Sequence, residues 1–468
     1  MVFASLEFLT LFLPAFLILY ALVGPKRRNA TLLVASWVFY GWWSPLYLTL
    51  FIALTVLGWI GGLVIDRRGD SASRGWALAL FVCINVGTLC WYKYANILVE
   101  TTNSVLVMSG AMPIEWQRNA LPIALSFIVL QSISYLIDVY RRTVPADKSF
   151  VSFGAYQAMF VHLIAGPIIR YDWVKRELVS RPFNWTTFSL GARRFMIGMS
   201  MKVLIGDTLA PVVDTAFALT NPSFVDAWIG CIAYTLQLFF DFAGYSVMAI
   251  GLGLMLGFRF PENFNNPYLA TSIQDFWRRW HMSLSSWIRD YLYIPLGGSR
   301  LGPVRTYVNL FLTMSIAGLW HGGDTWNFLL WGMAHGAALC IGRLWSNLGL
   351  PEVPVLLSRV LTLLFVMLAW TIFRAHTFDI AMDMYRGQFG LNGLGMGDTL
   401  AVIVRPAHLL AAVLGIACVV APVFQPWANR HVNPAVLAFA GLWPLAGFLL
   451  SFALIASRGA VPFLYFQF

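Results

Sequence analysis

The chain is a succession of apolar stretches about as long as a bilayer is thick, each closed by a short polar loop. A helix of roughly 20 apolar residues crosses the hydrocarbon core, and inside lipid only helices or closed barrels satisfy their own backbone groups. Continuous apolar runs, rather than alternating ones, select helices. Charged residues make up 11% of the 468 positions, less than half the roughly 25% of an ordinary soluble domain. The sequence therefore predicts an all-α, polytopic integral membrane bundle: roughly eleven transmembrane helices, with re-entrant and amphipathic helices among them. Residues 1–468 read as a single integral membrane domain, with a core at about 120–345 and further helices at about 350–468.

The net charge of +10 carries no nucleic-acid signal, because the basic residues sit in short loops between apolar runs, as the positive-inside bias requires. Lys26, Arg27 and Arg28 follow the first run. Residues 31–65 hold two spans that turn near Ser44-Pro45, a turn without basic residues. Arg67, Arg68 and Arg74 come next, then a span at about 76–96, and after the span at 119–140 come Arg141, Arg142 and Lys148. Every second loop is basic, which places the N-terminus outside the cytoplasm. The first run has its basic cluster behind it, so it reads as a retained helix rather than a signal peptide. The run at 151–169 has basic flanks on both sides, and Gly166-Pro167 offers a turn, so a re-entrant segment is expected there. Further spans are expected at 193–216, 225–257, 306–320, 326–345, 355–374, 406–424 and 433–456. Cys83, Cys90, Cys231, Cys340 and Cys418 lie singly in apolar runs and read as buried thiols, without metal-ligand spacing.

The stretch from Phe276 to Gly336 sets three of the chain's seven histidines and several arginines among apolar residues. Charge at membrane depth is costly and commonly marks a site. Projected as one helix at about 100° per residue, residues 276–291 put Phe276, Trp280, Trp287 and Tyr291 on one side. Arg278, His281, Ser285 and Arg289 fall on the other. Such a helix could line a polar chamber, or equally lie at the interface with snorkelling arginines. His321 ends an apolar run and is followed by Gly322, Gly323 and Asp324. Imidazole is the usual side chain for taking a hydroxyl proton near neutral pH, although a buried histidine satisfied by a carbonyl fits the same pattern. His335 reads more simply as a packing residue, and His162, beside Gly166-Pro167, as chamber lining or a cap. Gln237, Asp241 and Tyr245 repeat at helical spacing, as do Gln131, Ser134, Tyr135 and Asp138. The aspartates need partners, and an arginine or histidine of the central stretch is the expected one. His376, His408 and His431 lie near helix ends with no evident partner. No P-loop, GxSxG, HExxH or HxxxxD pattern occurs.

The ordered motifs NATLLVASWVFYGWW at 29–43, WYKYANI at 91–97, LPIALSFIVLQSISYLIDVYR at 121–141 and HLIAGPIIRY at 162–171 continue into QLFFDFAGYSVMAIGLGLMLGFRFPENFNNPY at 237–268, FWRRWHMSLSSWIRDYLYIPLGG and GLWHGG. With them the chain resembles the membrane-bound O-acyltransferase superfamily, in the branch of bacterial alginate acetylation, cellulose acetylation and teichoic-acid D-alanylation proteins. The resemblance implies that His281 and His321 face a chamber in the membrane, with His321 the general base on the acceptor hydroxyl and His281 orienting or polarising the acyl group. Candidate chamber lining is Arg278, Ser285, Arg289, Asp241, Gln237, His162, Asn327 and His335. The resemblance also implies acetyl-CoA as cytosolic donor, no metal, and no tightly bound cofactor. It implies an inner-membrane location with a periplasmic N-terminus, and periplasmic acetyl-transfer proteins and a polysaccharide synthase complex as partners. The product expected is an O-acetylated exopolysaccharide, alginate or cellulose. The shorter stretch after about 386 leans the choice toward cellulose. Acylation of a lipid, a teichoic-acid carrier or a protein is the first rival, a transporter without chemistry the second, and a scaffold for a synthase the third.

Overall fold

The computed structural model describes residues 1–68, 72–164, 166–432, 441–459 and 461–464, with the backbone alone for 425–431. The described residues are helical or irregular, with no strand among them. Among the described residues, seven helices are long and apolar enough to cross a membrane: Pro45–Arg67, Ala72–Met108, Trp185–Ala218, Phe224–Met255, Asn327–Asn347, Val355–Arg374 and Pro406–Phe424. Three shorter apolar helices, Glu7–Leu22, Leu125–Tyr140 and Trp443–Arg458, add to them. The protein is a multi-pass, all-α membrane protein. The first part of the span expected at 433–456, residues 433–440, lies outside the described residues. The span expected at 76–96 is one helix of 37 residues, Ala72–Met108. At about 1.5 Å per residue it is longer than a bilayer core is thick.

Residues 1–195 with 248–261 form one compact unit, and residues 196–247 with 262–464 form a second. In the first, Ser44 accepts a hydrogen bond from the Tyr47 amide and Pro45 opens the next helix, a start that polar capping and a pre-set φ favour. That helix lies very close to its neighbours. A Cβ on Gly62 would come within 2.6 Å of the Tyr135 ring, and one on Gly61 within 2.8 Å of Leu136 and Phe81. The expected re-entrant segment is a buried, broken helix, Phe150–Ala158 followed by Phe160–Leu163. The break frees the Phe160 amide, which donates to Ser36 Oγ at 3.0 Å. The Phe160 ring meets Phe12 and Phe16 edge-on, at 5.2 and 5.0 Å.

The second unit holds the stretch that the sequence singles out. Gly318 and Gly332 set the crossing of Pro303–His321 with Asn327–Asn347. A Cβ on Gly318 would lie 2.3 Å from the Phe328 carbonyl oxygen, and one on Gly332 2.4 Å from that of Met314. Only glycine allows this approach, and it brings His321 against Trp331. The five thiols do not share one environment. Cys231 is buried and Cys340 half-buried, whereas Cys83, Cys90 and Cys418 lie on exposed faces. An apolar run in a membrane protein faces lipid as readily as core, which is why apolar flanks alone misplaced three of them.

Candidate active site

Residues 276–291 are not one helix. Ile273–Arg279 ends at Trp280, His281 adopts φ +45°, and Met282–Ile288 begins a new helix. A left-handed residue turns the chain, so the projection of a single helix fails and its polar stripe divides. His281 goes inward and is fully buried. Arg278, Ser285 and Arg289 line a cleft of about 820 Å³ with Trp277, Arg343 and Asn347. Arg289 is largely exposed and pairs with its neighbour Asp290 at 2.7 Å.

The partner of His281 is Asn263. The Asn263 Oδ1 accepts the Ser283 amide at 3.2 Å and the Ser283 hydroxyl at 2.8 Å, while its Nδ2 donates to Ser246 Oγ at 3.1 Å. Because the Ser283 amide can only donate, the atom it meets is the carbonyl oxygen. That oxygen lies 3.1 Å from His281 Nδ1, so Nδ1 carries the proton and donates. Nε2 is then the unprotonated nitrogen. It is buried and has no hydrogen-bond partner among the described residues. The Phe242 ring stands edge-on to the imidazole at 4.7 Å. His281 lies in the turn between short helices, outside the spanning ones, and burial holds its pKa down at about 3. It is therefore a neutral imidazole with one free lone pair.

His321 ends its helix inside an aromatic box. Trp320, Trp331 and Phe373 meet its ring edge-on at 4.9, 5.3 and 5.5 Å. Trp331 also contacts His335 at 4.8 Å and stacks on Trp370 at 5.6 Å. The Trp277 indole N–H donates to His335 Nδ1 at 3.3 Å. An indole N–H only donates, so His335 carries its own proton on Nε2. Trp277 thus touches His335 with one edge and lines the arginine cleft as well. Gly322 follows His321 directly. A Cβ there would lie 1.9 Å from the Phe328 ring, so the glycine admits a side chain of the protein itself.

The family model of membrane-bound O-acyltransferases matches residues 141–378. A probable alginate O-acetylase AlgI of Azotobacter vinelandii is 43% identical over the whole of both chains. This chain belongs to the membrane-bound O-acyltransferase family. The probable alginate O-acetylase AlgI of Pseudomonas aeruginosa is 48% identical over 83% of this chain and 75% of that one. The peptidoglycan O-acetyltransferase of Helicobacter pylori is 34% identical over 83% and 80%. The protein is thus an acyltransferase, set in a membrane and needing an acyl donor.

Most of the other polar candidates of the acyltransferase have partners of a different kind. His162 belongs to the first unit, where Gln131 Nε2 lies 2.9 Å from its Nδ1 and Phe260 stands edge-on at 5.7 Å. Asn327 is buried, and its amide donates to the Ala375 carbonyl at 2.9 Å, which ties one helix start to a neighbouring turn. Gln237 is buried, and its Oε1 has no hydrogen-bond partner among the described residues. Asp241 is not held by an arginine or histidine of the central stretch. Its partner is Lys202, at 2.9 Å, which also contacts Asp207 at 2.6 Å. All three side chains are buried, and the other Asp241 oxygen accepts the Leu464 amide at 2.9 Å. Reading the sequence missed both Lys202 and Asn263. A lone lysine inside an apolar run, with an aspartate five residues on, was the visible signal for the first. Asn263 gave none. His376 and His408 do have partners: His376 Nε2 lies 3.1 Å from Arg374 Nη1, and His408 Nδ1 accepts the Arg405 amide at 3.2 Å. The His431 side chain lies outside those described.

Proposed function

We propose that this acyltransferase carries acetyl from cytosolic acetyl-CoA to a hydroxyl group destined for a periplasmic exopolysaccharide. The names of its relatives favour alginate as the polymer, over the cellulose toward which the C-terminal stretch leans. The observation that carries the reading is the pair of buried histidines, His281 and His321, inside the family-matched stretch and in the same unit as the arginine-lined cleft.

The roles follow from the chemistry. His321 takes the proton of the acceptor hydroxyl as its oxygen attacks the thioester carbonyl, and the thiolate of CoA departs and is reprotonated. His281, with its proton committed to Asn263, presents an acceptor nitrogen. It orients a donor N–H or O–H of the reactants rather than polarising the carbonyl. Arg278, Arg289 and Arg343 suit the phosphates of the donor, since guanidinium groups bind phosphate as a charged fork. Proton transfer and thioester exchange at these residues need no resident cofactor. The alternating basic loops support an inner-membrane orientation with the N-terminus periplasmic. Acceptor-side partners are then periplasmic transfer proteins and the polysaccharide synthase complex.

Purified protein incubated with acetyl-labelled CoA and the host's periplasmic fraction should move label onto alginate or its carrier protein. Arg278→Gln/Arg343→Gln should raise KM for acetyl-CoA about tenfold or more, in line with the loss of charge-assisted hydrogen bonds. Label that never leaves CoA under any acceptor would sink the acetyl-CoA assignment. An unchanged KM would remove the cleft from donor binding.

A further inference from the structure

A second cavity lies wholly within the first unit, about 710 Å³ in volume. Its lining is of two kinds. Leu17, Ile18, Leu254, Met255, Phe183 and Trp185 are apolar, while Arg28, Arg181 and Arg259 bring three positive charges against the single carboxylate of Glu177. Arg181 is 7% exposed, and its surroundings account for only part of its guanidinium. Nε donates to Tyr20 Oη at 2.6 Å and Nη1 to the Glu177 carbonyl at 2.9 Å. Nη2 is buried with no hydrogen-bond partner among the described residues. The Arg28 Nε is likewise buried and without a partner among the described residues, although its Nη1 donates to the Arg181 carbonyl at 2.8 Å. Both guanidinium groups face the Tyr20 ring, at 5.4 and 5.8 Å. Phe258 backs that of Arg181 at 4.6 Å.

This is a built site. The Arg181 stem is pinned from behind: a Cβ on Gly257, which has φ +87°, would lie only 3.2 Å from it. The Tyr20 hydroxyl that accepts from Arg181 donates in turn to the Leu256 carbonyl at 3.1 Å. Leaving a guanidinium N–H unsatisfied in a buried place is costly, and an acceptor of negative charge would satisfy it. A free inorganic anion would account for the arginines but not for the apolar walls. A zwitterionic lipid would bring its own cation to a site that already has an excess of positive charge. A phospholipid of net negative charge matches both halves: its phosphate meets Arg28 and Arg181, and its acyl chain runs along Leu17, Ile18 and Met255. Trp185, which lines the cavity and is packed edge-on against Phe183 at 4.9 Å, is the residue type that favours the headgroup level of a bilayer. Basic cavities between membrane helices are a known kind of anionic-lipid site.

We propose that this cavity binds an anionic phospholipid as a structural ligand, independently of the donor and acceptor of the reaction. The test uses the full-length protein, delipidated in a neutral detergent and titrated with short-chain phosphatidylglycerol. Phosphatidylcholine, inorganic phosphate and CoA are titrated separately. Thermal unfolding and native mass spectrometry give the readouts. Phosphatidylglycerol should raise the melting temperature and remain bound in the gas phase. In Arg28→Gln/Arg259→Gln, which spares the buried Arg181, about tenfold more lipid should be needed for the same effect, as expected for lost charge-assisted contacts to phosphate. Ile18→Trp, which fills the apolar wall and leaves every charge in place, should weaken it too. Three results would overturn the proposal: equal stabilisation by phosphatidylcholine, equal response of wild type and the double variant, or full reproduction of the effect by inorganic phosphate or CoA.

Discussion

Replacing Lys202 by methionine removes the ammonium held between two buried carboxylates while keeping most of the side-chain volume. The contacts are 2.6 Å to Asp207, 2.9 Å to Asp241 and 3.3 Å to the Val461 carbonyl. At an effective dielectric of about 20, each charge pair at such a distance attracts by roughly 6 kcal/mol. Desolvation of three buried ions takes most of that back. What remains decisive is the state after the substitution, in which Asp207 and Asp241 face each other with no ammonium between them. Removing one partner of a buried pair costs about 3–5 kcal/mol, and we expect a loss of that size for Lys202→Met. The assay is equilibrium unfolding in detergent micelles, followed by tryptophan fluorescence. The triple variant Lys202→Met/Asp207→Asn/Asp241→Asn removes all three charges and should recover more than half of the loss. Activity should fall in the single variant as well. Asp241 anchors the Leu464 amide, and Phe463 packs on Phe242 at 5.7 Å, the ring that stands against His281. A single variant within about 0.5 kcal/mol of wild type, the size of an ordinary surface substitution, would show that the ammonium does not hold the two carboxylates.

Asn263→Ala should lower kcat about 10- to 100-fold with little change in KM for the donor, because the His281 ring loses the acceptor that sets its tautomer while substrate contacts persist; equal changes in both constants would contradict this. Gly322→Ala should cost about 1–3 kcal/mol through the overlap with Phe328, and Phe328→Leu should restore part of it in the same melting assay. The pKa of His281 is lowered on folding, so the folded state resists a proton that the unfolded state accepts. Stability from this residue is complete above the usual value near pH 6.5 and is lost as the pH falls toward about 3. His281→Gln should therefore show a shallower decline of stability below pH 6 than wild type, and an identical decline would remove the buried neutral imidazole from the account.

The helical architecture was legible because membrane helices announce themselves by length and hydropathy, which depend on composition more than on partners. The turn at Ser44-Pro45 and the long helix Phe224–Met255 emerge where the sequence puts them. The break at His281 was not legible. Residues 276–291 have helical spacing and no proline or glycine, and the left-handed residue is stabilised by a distant asparagine. The same break separates His281 from Arg278, Ser285 and Arg289, so a pattern that looked like one face became a buried imidazole and an open cleft. The partner of Asp241 was hidden for a related reason: the pairing crosses helices, and periodicity along one helix carries no information about the next. Gly318, Gly322 and Gly332 show the converse, since their value lies in carbonyls and rings that approach from elsewhere in the chain.

The most direct test of the account compares acetyl transfer by the wild-type protein and His321→Ala, both purified and both given acetyl-labelled CoA with the periplasmic acceptor fraction. Transfer should fall about 10²- to 10⁴-fold, the usual contribution of a general base, in a variant that still melts like wild type and still binds acetyl-CoA. Transfer by that variant at the wild-type rate would contradict it.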